Sequence, residues 1–204
     1  MAKQQGGIEA AFAAVRAQWN KAERAIKLAE QVNEEIVNPA IYELRYAGRR
    51  IVEAFDLPAT ERETIINKLR DAEFDCCRAR HDAIDAATSK MVAMLDAAQE
   101  RLGPDVVLTH FAAFPTLVRR LGDVRDKIAL SREDREDRDK IYEAIEADDL
   151  SDLVCLYRDF KASENLLKQS ARRNRRDLFE AKLLGWGGLI VGLAGIAIAF
   201  YFAS

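Results

Sequence analysis

Proline occurs only four times in this chain of 204 residues, and cysteine only three times. So few prolines leave long intervals in which helices can run unbroken. Cys76, Cys77 and Cys155 form neither a CxxC pair nor a disulfide framework, which excludes a disulfide-stapled fold and fits a reducing compartment. Alternating β-branched runs are missing too, so no sheet is expected. His81 and His110 have no neighbouring ligands at metal spacing, and there is no GKS/T phosphate loop. Carboxylates are spread over the whole chain without a pair that stands out as an acid–base couple. The chain does not read as an enzyme, and no cofactor or metal is expected. A net charge of −3 leaves no nucleic-acid footprint. The opening residues MAKQQGG lead into a charged amphipathic segment, so no cleavable signal peptide is expected.

What remains is the composition of long helices, 49% hydrophobic and 32% charged. Over residues 8–37 the apolar positions Ile8, Phe12, Val15, Trp19, Ala22, Ile26, Ala29 and Ile36 follow at spacings of three and four. Asn33 takes the one remaining seam position, where it either fixes register or marks a helix end. Asn38-Pro39 breaks this helix, and Pro39 suits the first turn of a second one reaching to about Asp56. Thr60 and Glu63 make a T-x-x-E capping box before a third helix, expected to run unbroken to Gly103-Pro104. Its stripe begins on Ile65, Leu69, Ala72 and Cys76 and resumes out of step on Ile84, Ala87, Met91, Met94 and Ala98. Such a slip predicts a change of neighbours along the helix. After Pro104 comes an apolar segment, ended or kinked by Pro115. Residues 131–140, SREDREDRDK, are polar on every side and read as a solvated helix or helical connector, with Arg132–Glu136, Arg135–Asp139 and Glu136–Lys140 at i,i+4. Cys155 beside Leu153 and Val154 is expected to pack inward.

The one long uncharged run is LLGWGGLIVGLAGIAIAFYFA, residues 183–203. As a helix it spans roughly 31 Å, the thickness of a bilayer's hydrocarbon core. Trp186 and Tyr201 stand near its two ends, at headgroup level. Gly185, Gly188, Gly192, Gly195 and Ala199 follow at three, four, three and four, a stripe of small residues that suits helix–helix packing in lipid. Arg172, Arg173, Arg175, Arg176 and Lys182 precede the span. Their positive charge predicts a cytoplasmic N-terminal part, and the same residues suit contact with anionic headgroups. Counting back from the glycine stripe by fours and threes gives Ala181, Leu178, Asn174, Ala171, Leu167, Glu164, Phe160, Tyr157, Leu153 and Leu150. One helix with a single seam is therefore expected from about Leu150 onward, and Glu164 and Asn174 are its polar intrusions, register or switch positions.

These readings combine into an all-α fold: an elongated antiparallel helical bundle or coiled coil with long helices, continuing into a single C-terminal transmembrane helix. The expected parts are a cytosolic helical bundle (1–147), an amphipathic heptad stem with its polybasic juxtamembrane run (148–182) and the transmembrane helix (183–203). The protein is expected to be a tail-anchored, single-pass membrane protein, in the inner membrane if bacterial. The bilayer, further copies of the chain and a protein partner are its expected contacts. This order of parts resembles the layout of SNARE proteins and of small membrane effectors of bacterial anti-phage systems. The central glutamine or arginine layer of the SNARE motif is absent, and Glu164 stands in the stem instead.

Overall fold

In the computed structural model the backbone is described for residues 2–133 and 136–203, and side-chain surroundings for residues 7–133, 136–177 and 179. The fold is all-α, with no strand among the described residues. The helices are α1 (Ala2–Asn33), α2 (Asn38–Phe55), α3 (Arg62–Leu102), α4 (Pro104–His110), α5 (Phe114–Glu133), α6 (Arg138–Ala144) and α7 (Ser151–Ala203). A π-helical turn, Ile145–Leu150, joins α6 to α7. The chain forms two compact units, one of Met1–Asp96 with Thr116–Tyr157 and one of Ala97–Pro115 with Arg158–Ser204.

In the first unit, α1, α2 and α3 share a core. Val15, Ala47, Ala54, Ile65, Leu69, Ala72 and Cys76 are buried together, with Phe12, Trp19, Leu44 and Ile51 packed against them. On α2 the inward face carries alanine every seventh residue, Ala40, Ala47 and Ala54, so that neighbouring helices approach closely. The pairing of α2 with α3 is antiparallel. Glu43 meets Arg78 (2.8 Å), Arg50 meets Asp71 (3.1 Å) and Asp75 (2.6 Å), and Glu53 meets Lys68 (2.7 Å). As numbers rise along α2 they fall along α3. In the same unit α5 also runs antiparallel to the π-helical turn and the start of α7, joined to them by Lys127–Asp149 (2.6 Å) and Arg120–Asp152 (2.7 Å).

The helix ends refine the sequence reading. Helix α1 stops at Asn33, and Glu34 takes a left-handed conformation (φ 59°) while its N–H donates to Glu30 O at 2.8 Å. Ile36 therefore lies past the helix, 65% exposed, and is no seam residue. The capping box is displaced as well. Glu61 N–H donates to Pro58 O in a tight turn and α3 starts at Arg62, so Glu61 instead of Thr60 stands at the cap position. Helix α3 is otherwise as expected, 41 residues up to Gly103-Pro104. Around its phase slip it is buried on nearly every side: Asp75, Cys76, Cys77, Ala79, Arg80, His81, Ala83, Ile84, Ala87 and Thr88 are all buried. The polar run 131–140 is not one helix, because α5 ends at Glu133 and α6 begins at Arg138. Cys155 is exposed, not packed.

Candidate membrane-proximal site and the buried charge cluster

Helix α7 runs unbroken for 53 residues. Along it the burial follows the predicted spacing: Leu150 just before it, then Leu153, Tyr157, Phe160, Leu167 and Ala171, are all buried. Glu164 is half-buried and accepts an ion pair from Lys168 one turn on (2.9 Å), while Asn174 is exposed. The remaining seam asparagine, Asn33, is buried at the last turn of α1 and donates from Nδ2 to Ala29 O at 2.8 Å. In the second unit Phe160 anchors α7, with its ring 5.4 Å from that of Phe111 and 5.9 Å from that of Phe114.

Arg172, Arg173, Arg175 and Arg176 are all exposed. At 100° per residue they cover an arc of roughly 160° of α7, a basic collar with buried Ala171 beside it. Arg175 donates to the carbonyl of Arg101, in the last turn of α3, at 2.8 Å. A cation there satisfies an orphan carbonyl and the negative end of that helix. Arg101, Lys168, Arg172 and Arg175 line a small cleft at this place. Among the described residues, Arg172, Arg173 and Arg176 have no carboxylate partner, so their charge faces outward. Chemically this is a surface for anionic groups. Lys182, Gly185, Trp186, Gly188, Gly192, Gly195, Ala199 and Tyr201 lie outside the residues whose side chains are described. Among the described residues no helix is long and apolar enough to cross a membrane, and that statement does not extend to 183–203.

A second constellation lies in the first unit, where the sequence offered no warning. Arg80 on α3 is fully buried (0% exposed). Its Nη1 is 3.5 Å from Glu143 Oε1 and its Nη2 is 3.6 Å from Asp139 Oδ1, both on α6. Both contacts are too long for strong hydrogen bonds, and Nε and Nη1 have no hydrogen-bond acceptor. Lys21 from α1 reaches the same Glu143 Oε1 at 2.6 Å. His81 Nε2 lies 2.9 Å from Asp139 Oδ1, within ion-pair reach but off the hydrogen-bond axis. The His81 ring stacks on Tyr142, whose hydroxyl donates to Asp85 Oδ1 at 2.6 Å. His81, supported by the charge of Arg80, holds the Asp139 carboxyl below the usual range. The hydrogen bond from Lys21 does the same for Glu143.

Cys77, one turn before His81, completes a cysteine–histidine–aspartate grouping with Asp139. Burial pushes its thiol up to about 12, so a thiolate nucleophile is not formed at neutral pH. The cluster fastens α6 to α1 and α3. The out-of-step stripe of α3 marks where the helix is enclosed, around Ala79, Arg80 and His81, but not the charges themselves. The exposed His110 ends α4.

The fold and the collar define an all-helical protein with an exposed basic surface on α7, in a helix that continues into an uncharged segment. Comparison with protein-family models, with curated proteins and with solved structures finds no match.

Proposed function

We propose that this chain is a non-enzymatic, membrane-anchored helical protein. Residues 183–203 insert in the bilayer, the arginine collar lies on the anionic cytoplasmic headgroups, and the helical domain engages a protein partner. The observation that carries the reading is α7 itself. One helix bears a buried seam to Ala171, then four exposed arginines, three of them without a carboxylate partner among the described residues, and its backbone continues through 21 residues without charge. Each basic residue near an anionic surface contributes about 1 kcal/mol, so the collar and the span act in the same direction. The glycine stripe supports self-association in lipid. Replacing Gly188 and Gly192 by leucine keeps the apolar length but fills that face. Normal insertion with weaker crosslinking between protomers is expected; unchanged crosslinking would reduce the glycines to tolerated residues.

The same stripe favours a second reading, a membrane-perturbing effector whose spans cluster on a trigger and make the bilayer leak. Forcing the spans together with a fused dimeriser separates the two. Dye release that G188L/G192L suppresses supports the effector, and a tight membrane supports the anchored binding protein.

A further inference from the structure

Where α3 ends against α7, four cations line one cleft of about 140 Å³: Arg101 of α3 with Lys168, Arg172 and Arg175 of α7. The other lining residues are Leu102 and Ala171, so no carboxylate borders it. All six belong to the second unit. A cleft lined by charges of one sign focuses their field and concentrates ions of the opposite sign.

Two of the arginines are positioned without being neutralised. Arg101 Nε donates to Ala97 O at 3.1 Å, one turn back on its own helix, and Arg175 Nη2 donates to Arg101 O at 2.8 Å. A carbonyl fixes a guanidinium but leaves its charge and its further N–H donors. Of the four cations, Lys168 alone has a carboxylate partner among the described residues, Glu164 at 2.9 Å. Arg101, Arg172 and Arg175 stay uncompensated.

The charge selects the ligand. A carboxylate or a phosphodiester brings one negative charge, whereas a phosphate monoester carries about −1.5 to −2 at neutral pH and offers three acceptor oxygens. Guanidinium forks match such oxygens pairwise. We infer that this cleft binds the phosphate monoester of a soluble ligand. The choice of a soluble source over a lipid headgroup rests on the membrane reading proposed above. Lys168 stands 15 residues before Leu183, roughly 22 Å along α7, whereas a headgroup layer is only about 5–8 Å deep. Arg173 and Arg176 do not line the cleft and remain for the headgroups.

The test is calorimetric titration of the detergent-solubilised full chain with inorganic phosphate, phenyl phosphate and dimethyl phosphate. The first two should bind saturably, and the diester about tenfold more weakly. R101Q and K168Q should each weaken phosphate binding about tenfold, because hydrogen bonds from a charged donor are lost. R173Q removes an equal charge outside the cleft and should change it by less than about twofold. The Arg101 carbonyl that holds Arg175 is main chain and survives R101Q. The two variants sit on different helices, so misfolding of one, seen by circular dichroism, leaves the other as the test. Equal weakening by R173Q would mean a diffuse field and overturns the cleft. So does a folded wild-type chain that binds none of the three probes, and equal binding of the diester overturns the monoester assignment. If free phosphate is not bound and R101Q lowers attachment to phosphatidylcholine vesicles containing phosphatidate, the soluble ligand is overturned and the anchor stands. Phosphate binding by chains that do not insert in membranes upholds the cleft and contradicts the anchor.

Discussion

The imidazole of His81 lies nearly flat on the ring of Tyr142, with centroids 4.0 Å apart and planes 19° from parallel. Both residues belong to the joint between α3 and α6, and the Tyr142 hydroxyl is tied to Asp85 one turn beyond His81. Burial, with the hydrogen bond to Asp85 added, pushes the Tyr142 phenol well above its ordinary range, so it remains a donor. The joint is held by oriented polar contacts where a helical bundle would ordinarily use leucine. Its weak point is Arg80, a buried cation whose contacts are long.

Replacing Arg80 by methionine should leave stability unchanged or raise it. The cost of burying the guanidinium is only partly offset at 3.5 and 3.6 Å, and methionine fills a similar volume without charge. Asp139 and Glu143 are each about half exposed and return to water when Arg80 is gone. Arg80→Ala, in contrast, opens a cavity and should cost about 2–4 kcal/mol. Denaturant unfolding of both variants checks this. A loss in Arg80→Met as large as that in Arg80→Ala would show that the charge itself holds α6.

Acid should loosen the same joint. Asp139 and Glu143 bind protons less tightly folded than unfolded, Asp139 because of His81 and Glu143 because of Lys21. Their stabilisation is full above the ordinary carboxylate pKa of about 4 and is lost as pH falls through the lower, folded values. Glu43 and Asp82, raised by burial, act in the opposite sense: their stabilisation is present at low pH and lost as pH rises. Thermal unfolding from pH 7 to pH 3 should therefore show Asp139→Asn less stable than the wild type at neutral pH, with the gap closing below about pH 4. A gap constant down to pH 3 would remove Asp139 from the acid response.

Ala47 should tolerate nothing larger. It is completely buried where α2 meets α1 and α3, in the middle of the alanine repeat. Ala47→Leu forces these helices apart and should cost about 1–3 kcal/mol. The equally conservative Ala59→Leu, on the exposed turn after α2, should be close to neutral by the same melting measurement. Equal effects at both sites would mean that the helices have room to separate.

The seam on α7 and the extent of α3 were legible in the sequence because both follow from a repeat that any buried helix face must show. Leu150, Leu153, Tyr157, Phe160, Leu167 and Ala171 were named from spacing alone, and all are buried. Helix ends were less legible. A left-handed Glu34 cannot be foreseen from residue type, since glycine or asparagine is the usual occupant. The turn made by Glu61 and Pro58 also competed with the capping box for one residue. The buried charges were not legible at all. Periodicity finds apolar residues, whereas Arg80 and His81 are enclosed by helices distant in sequence, and Asp139 comes from the segment that looked most solvated.

The central claim, that residues 183–203 cross a bilayer, is tested most directly by fractionation. Full-length protein should stay with membranes after alkaline carbonate extraction. Ile190→Arg with Ile196→Arg should release it, since each arginine near the centre of a span costs about 2.5–3.5 kcal/mol on insertion scales. Full-length protein that carbonate extracts, or a double-arginine variant that stays embedded, would contradict the claim.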